Sequence, residues 1–127
     1  MAIQLSNRYF RAAVVYALIG MLWGLFMGVT KAYDTHPAHA HLLLLGWVSM
    51  TIYGVVFRLV PKAAEGILPQ VHFWLVNAGV VIMAPGVALI HTGQPTAGDP
   101  LAAVGSILTI AGMVLFALQV WRGTDKP

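Results

Sequence analysis

The stretch HPAHAHLLLLGWVSM, His36 to Met50, places three of the five histidines of the chain at the start of a strongly apolar run. An imidazole is costly inside a bilayer, and an intramembrane histidine therefore indicates a functional site. The apolar run continues to about residue 60, which is long enough for a helix that crosses a membrane. The stretch predicts a transmembrane helix that carries candidate ligands at one end.

Three further apolar stretches resemble this one in length, and together they predict spans at about 9–30, 38–60, 71–91 and 100–121. At ~1.5 Å per helical residue, each crosses a hydrocarbon core of ~30 Å. Only 9% of the residues are charged, whereas soluble domains have about 25%. We therefore predict an all-α integral membrane protein in which residues 1–127 form a single domain of four transmembrane helices.

The basic residues predict how the helices are oriented. Six of the seven flank the chain ends and the connection between the second and third spans, namely Arg8, Arg11, Arg58, Lys62, Arg122 and Lys126. Only Lys31 lies in the other connections. By the positive-inside rule both termini are cytoplasmic. We expect the membrane to be the inner membrane of a bacterium or archaeon. Because the charges lie at the ends of spans, they indicate contact with membrane lipid and do not indicate a nucleic-acid partner.

Turn-forming residues predict where the chain connects its helices. Gly93, Pro95, Gly98 and Pro100 predict that the third connection runs through residues 92–100. Pro37 suits the first turn of the second helix, where a missing N–H costs nothing.

Tyrosine, tryptophan and the isolated histidine have ordinary structural interpretations. Tyr9, Tyr53 and Trp74 are predicted to lie at the membrane interface. His72, at the other end of the bundle from the histidine-rich stretch, is predicted to be a packing or interface residue. The chain has no cysteine, which excludes disulfides, thiolate metal sites and haem attached through C-x-x-C-H.

His39 and His41 are the candidate metal ligands. At 100° per residue they point about 200° apart, at heights that differ by only ~3 Å, so they cannot bind one ion from the same helix. Neutral imidazole binds iron, copper or zinc. Zinc and copper want three or four converging ligands, whereas haem iron needs one or two and an apolar slot, so haem is favoured over copper. The alternative is that both rings are simply hydrated at the headgroup level.

Other residues at the same end are candidates for contact with such a cofactor. His36 and His91 lie near the same membrane surface, and Trp47 follows on the histidine-bearing helix. The first span carries a doubled G-x-x-x-G motif, whose small residues admit either another helix or a flat ligand. Its members are Gly20, Gly24 and Gly28.

Three segments resemble the catalytic subunit I of haem–copper oxidases. AHAHLLLLGWVSMTIYGVVFRLVP, residues 38–61, is similar to the H-x-H helix of that family, and VHFWLVNAGVVIMAPG, residues 71–86, to the helix that follows it. ALIGMLWGLFMG, residues 17–28, resembles first-helix sequences of the cbb3-type and nitric oxide reductase branches. In that family the two histidines of H-x-H bind two haems on opposite faces of one helix.

The resemblance implies an arrangement of several copies. Subunit I has about twelve helices in three arcs of four, so the chain resembles one arc. We expect a homotrimer that imitates the twelve-helix ring, in which His39 of one copy and His41 of the next bind haem b at the subunit interface. The chain has no His-His dipeptide, and none of its carboxylates lies in a predicted span. The second metal site of the family is therefore missing, and no catalytic residue or terminal oxidase activity is expected.

The sequence leaves three functions open. The first is electron transfer through bis-histidine haem b, with a redox partner. The second is gas binding or sensing at a haem that has one histidine ligand. The third is an assembly factor for a respiratory complex that handles copper or haem. Besides these functions, the sequence also allows a structural subunit whose histidines are vestigial.

Overall fold

Four long helices make up nearly all of the computed structural model, which describes residues 1–125. We number them α1 (Ala2–Thr30), α2 (His36–Leu59), α3 (Leu68–His91) and α4 (Pro95–Thr124). A 3₁₀ turn, Pro61–Ala64, lies between α2 and α3. Within residues 1–125, all four helices are long and apolar enough to cross a membrane, which confirms the prediction of an all-helical membrane protein.

The helices alternate in direction, so the bundle has two distinct ends. At one end Met1 lies near Pro61 and Gln70, and the Cβ position of Gly123 lies 2.7 Å from the Ala63 nitrogen. We call this the terminal end. The opposite, histidine end holds the Lys31–Thr35 connection and residues 92–94. Lys126, which contributes to the predicted orientation, lies outside the described residues.

The predicted connection at residues 92–100 is wrong in its second half, because α4 begins at Pro95. Pro95 stands in the first turn of the helix, where proline is tolerated. Gly98 is buried, and a Cβ there would lie 2.5 Å from the Gly86 oxygen. It therefore brings α4 close to α3 and does not form a turn. Pro100 is accommodated within the helix.

Glycines set the spacing of the two closest helix pairs. Every seventh residue of α4 faces α3, and the buried residues of α4 are Gly98, Gly105, Gly112 and Gln119. A Cβ at Gly105 would lie 2.6 Å from the Met83 Cβ. In the α1–α2 pair, a Cβ at Gly46 would lie 2.6 Å from the Tyr16 Cβ. Small residues allow helix backbones to approach closely in membranes, where packing supplies much of the association energy.

An aromatic core fills the terminal half of the bundle, around the His72 side chain. Tyr9 and Tyr53, predicted at the interface, are 0% and 4% exposed and belong to this core. The interface prediction is therefore wrong for both tyrosines. Trp74 is 64% exposed, on the lipid-facing surface. Phe57 and Phe116 also pack on the His72 ring, and Phe73 packs on Tyr9.

The histidine-bearing helix α2 changes its hydrogen-bonding pattern directly after His41. Residues His36–His41 are α-helical, Leu42–Val48 form a π-helical segment, and Ser49–Leu59 return to α-helix. The hydroxyl of Ser49, which directly follows the segment, donates to the Leu44 carbonyl within it at 2.8 Å. Because π-helical turns occur frequently at functional sites, the position of this one directs attention to the histidines that precede it.

Candidate functional site

The His39 side chain lies at the contact between α1 and its own helix, α2, at the histidine end. Its ring is half-buried and packs directly on Gly24, because a Cβ at Gly24 would lie 2.9 Å from the His39 Cε1. Trp23 lies beside it, with ring centroids 6.5 Å apart. The His39 Nδ1 is buried without a hydrogen-bond partner among residues 1–125. A buried polar atom without a partner is costly, so its retention calls for a ligand, a water or a functional role.

His41 lies on a different side of α2 and is exposed. Its Nδ1 contacts the Pro37 carbonyl oxygen at 2.7 Å. A carbonyl only accepts hydrogen bonds, so Nδ1 carries the proton and the lone pair of the neutral ring is on Nε2. Histidines that bind metals are commonly held in this way, with Nδ1–H on a backbone carbonyl and Nε2 free for the metal. His41 therefore has the local geometry of a ligand before any metal is present.

His91 shows the same local arrangement on another helix. It is exposed at the end of α3, and its Nδ1 contacts the Val87 carbonyl oxygen at 2.9 Å. His36 is exposed as well, and its ring centroid lies 6.1 Å from that of His39. Residues 1–125 contain no cluster of three or more His, Cys, Asp or Glu side chains that could hold a metal ion. Within these residues, each imidazole is therefore a single candidate ligand, and one chain does not bring several ligands to the same ion.

The three glycines of the doubled motif serve different purposes. Gly20 lies directly under the Leu43 side chain, and Gly24 lies under the His39 ring, so both bring α2 close to α1. Gly28 has open space beside it, since no described atom beyond its chain neighbours and the backbone of its own helix lies within 4 Å of its Cβ position. Trp47 is 39% exposed and lines an apolar groove between α1 and α2 with Met21 and Leu43. The histidine end thus offers apolar surface next to the imidazoles.

The connection between α1 and α2 is held against the bundle by one side chain. The Trp23 indole N–H donates to the Thr35 hydroxyl at 2.9 Å, and this hydroxyl lies 3.6 Å from the Met27 sulfur. Lys31 and Asp34 in the same connection are exposed. The start of α2 is thereby fixed immediately before the three histidines.

The two imidazoles of His39 and His41 fit the requirements of haem iron better than those of a bare metal ion. Haem needs one or two axial imidazoles and apolar surroundings. His41 supplies an exposed imidazole whose tautomer is fixed, and His39 supplies a second one on a glycine surface, with open space at Gly28 one turn further along α1. The His39 Nδ1 is buried inside the chain, so iron bound by His39 would be held through Nε2.

His72 is fully buried at the terminal end, as its predicted packing role requires. Its Nδ1 lies 2.5 Å from the Tyr9 hydroxyl, which is also 3.4 Å from the Pro69 carbonyl oxygen. Its ring stacks on Phe116 with centroids 5.6 Å apart and meets Tyr53 edge-on at 4.6 Å. These contacts join α1, α2, α3 and α4 in one cluster, which assigns His72 to the core and not to the candidate ligand set.

We expect Tyr9→Phe to destabilise the bundle by about 1 kcal/mol, because His72 Nδ1 loses its buried partner. Tyr53→Phe is the matched control: it removes a hydroxyl from the same cluster, at a tyrosine with no described hydrogen bond to His72. Unfolding in mixed detergent micelles, followed by circular dichroism, measures both variants. Equal losses for the two would show that the Tyr9–His72 contact contributes nothing of its own.

Gln119 and Ser6 are buried polar residues that inspection of the sequence missed. They are 3% and 0% exposed, and the Gln119 amide and the Ser6 hydroxyl have no partner within the described part of the chain. Gln119 occupies the seventh position after Gly112 in the line of buried residues along α4. That spacing of seven, repeated from Gly98, is the signal that could have identified its face as buried.

Comparison with known proteins gives one informative match. The chain is 28% identical over 119 residues to the cbb3-type cytochrome c oxidase subunit CcoN1 of Stutzerimonas stutzeri, in an alignment that covers 70% of the chain and 25% of that subunit. The chain thus spans about a quarter of the length of the curated relative that it matches. No family model and no solved structure matches it. The similarity supports a relationship to haem–copper oxidases and, with the four apolar helices, a multi-pass membrane protein.

Proposed function

We propose that the chain is an integral membrane haem protein that carries electrons, with His41 and His39 as axial ligands to haem b. The observation that carries the proposal is the state of His41, whose Nδ1 is bound to the Pro37 carbonyl while Nε2 is free on an exposed apolar surface. Haem bound there would supply one-electron chemistry. Similarity to an oxidase subunit supports a bacterial inner-membrane location.

The different directions of the two histidines support a site shared between copies. His39 faces α1 of its own chain, whereas His41 faces away from the bundle. Two ligands for one iron then come from neighbouring chains, and a head-to-tail interface of this kind closes into a ring when its rotation permits. We propose the homotrimer as that ring. Native mass spectrometry of the haem-loaded protein measures the number of copies, and a monomer that retains haem would contradict it.

The chain's own residues would hold and insulate the cofactor in distinct ways. Pro37 fixes the tautomer of His41, and Gly24 leaves room for the His39 ring at the α1 surface. The exposed cation Lys31, with His36 at the same end, suits the anionic edge of a haem. Trp47 belongs to the apolar lining that excludes water.

The test of the proposed function is an absorption spectrum of the protein, extracted from membranes of cells supplied with haem. We expect a Soret band and, after reduction, the sharp visible bands of six-coordinate low-spin haem. Carbon monoxide should leave the reduced spectrum unchanged, because both axial positions are occupied. A protein that is folded by circular dichroism but shows no Soret band would refute haem binding.

The packing of His39 favours one second candidate, a haem protein that binds a diatomic gas. Because the His39 ring rests on Gly24, inside the contact between α1 and α2, His41 is the more accessible ligand of the pair. Haem held by His41 alone would leave one axial position for a gas. A large spectral change with carbon monoxide, in a protein with one histidine per iron, would select this function over electron transfer.

A further inference from the structure

A groove runs along the outside of the bundle between α1 and α3, beginning at the terminal end. Two arginines mark its beginning, and small or apolar residues continue it toward the membrane interior. Its lining comprises Arg8, Arg11, Ala12, Val15, Phe73 and Trp74, with Tyr16 at the inner limit. The groove is open to the side, so it faces the region that lipid would occupy. Its mouth lies away from the candidate histidine ligands and does not depend on the proposed haem function.

Arg8 is held in place at the mouth of this groove by neutral groups. Its guanidinium donates to the Gln70 side-chain oxygen at 2.6 Å and lies 4.5 Å from the centroid of the Phe73 ring and 5.6 Å from that of Trp74. A ring and an amide orient the cation, but neither neutralises it. Arg8 therefore presents an oriented positive charge, with N–H groups of a planar fork that suit a phosphate.

Arg11 adds a second positive charge nearby. It follows Arg8 by three residues, which places both side chains on the same face of α1, about one helical turn apart. Arg11 is exposed, and both arginines line the groove. Trp74, which is 64% exposed, lies beside them, as is typical of tryptophans at the headgroup level. The mouth of the groove thus combines two cations with an interfacial ring.

The apolar part of the groove has the length of an acyl chain. A second groove shares Tyr16 with the first and continues between α1 and α3 past Ile19 to Trp23 and Pro85. From Arg11 to Trp23, α1 rises by about 18 Å at ~1.5 Å per residue. Half of a bilayer core of ~30 Å is about 15 Å. A chain that starts at the arginines would therefore be covered by the groove across one leaflet.

We propose that this groove is a binding site for an anionic phospholipid. The phosphate binds between Arg8 and Arg11, the glycerol region contacts Trp74, and one acyl chain lies along Ala12, Val15 and Tyr16. Charge complementarity selects an anionic headgroup over a zwitterionic one, whose own cation would lie close to the two arginines. The apolar length selects a lipid over free phosphate.

The experiment measures lipid binding to the delipidated full chain in neutral detergent by native mass spectrometry. Phosphatidylglycerol and phosphatidylcholine with identical acyl chains are compared as ligands. We expect phosphatidylglycerol to bind at least tenfold more tightly. The double variant Arg8→Gln/Arg11→Gln should remove this preference. Arg58→Gln/Arg122→Gln is the matched control, because it removes the same charge from the same end but outside the groove, and it should retain the preference.

A second variant tests the acyl-chain portion without changing any charge. Ala12→Phe places a bulky ring in the groove and should weaken phosphatidylglycerol binding about tenfold, whereas inorganic phosphate at millimolar concentration should not displace the lipid from the wild-type chain. Equal loss of preference in the two double variants would show general electrostatic attraction and overturn the proposal. Displacement by phosphate, or binding unaffected by Ala12→Phe, would overturn the lipid assignment.

Discussion

Gly105→Ala is expected to destabilise the bundle by about 2 kcal/mol, although the substitution adds a single methyl group. The new Cβ would lie 2.6 Å from the Met83 Cβ and 2.8 Å from its Cα and backbone nitrogen. Backbone atoms cannot rotate away, so α3 and α4 must move apart. Overpacking of this kind costs about 3 kcal/mol, and the better helix propensity of alanine returns about 1 kcal/mol.

Gly28→Ala is the control for this prediction, because it makes the same chemical change in another membrane-spanning helix. Beyond the chain neighbours and the backbone of its own helix, no described atom lies within 4 Å of the Gly28 Cβ position. We therefore expect a neutral effect or a gain of up to about 1 kcal/mol. Reversible unfolding in mixed micelles, followed by circular dichroism, measures both variants. If Gly105→Ala is as stable as Gly28→Ala, the close α3–α4 contact does not determine the stability of the bundle.

The four helices could be predicted from sequence because a membrane requires about 20 apolar residues per span, whatever the tertiary fold. Their ends could not be predicted as well. Gly98 and Pro100 are typical of a turn, yet both lie inside α4, where Gly98 packs against Gly86 of α3. A glycine is equally suited to a turn and to a close helix contact. Only the position of α3 determines which of the two applies.

The errors at Tyr9 and Tyr53 have a similar origin. Tyrosine has an apolar ring and a polar tip, which suits the membrane interface. Tyr9 is buried because its hydroxyl is hydrogen-bonded to the Nδ1 of His72, 63 residues away in the sequence. A partner at that distance leaves no local pattern in the sequence. Gln119 differs from the tyrosines, because the spacing of seven from Gly98 through Gly112 is a local pattern that indicates its buried face.

The different directions of His39 and His41 could be predicted from sequence, because helix geometry alone sets the angle between side chains two residues apart. His36–His41 are α-helical, and the structure places His39 beside α1 and His41 on an exposed side. The π-helical segment begins only after His41, so it does not disturb that spacing. The contacts of the rings could not be predicted: the hydrogen bond to Pro37 and the packing on Gly24 depend on side-chain rotamers and on α1.

His41→Ala is expected to abolish haem retention, with the Soret absorbance falling at least tenfold relative to protein. The substitution removes the free Nε2 that the Pro37 carbonyl holds in the metal-binding tautomer. His39→Ala should have the same effect if each iron takes one histidine from each of two chains. Under the gas-binding alternative, His39→Ala should retain haem and bind carbon monoxide as the wild type does.

His91→Ala is the control that separates ligation from general effects at the histidine end. His91 is exposed, and its Nδ1 also contacts the carbonyl oxygen four residues before it, so its local chemistry matches that of His41. It lies at the end of α3, away from the H-x-H motif, and its loss should change the Soret absorbance by less than about twofold. Added imidazole should restore a Soret band to His41→Ala, because it replaces the missing ligand without changing the fold. If His91→Ala loses haem as completely as His41→Ala, or imidazole restores nothing, His41 is not an axial ligand.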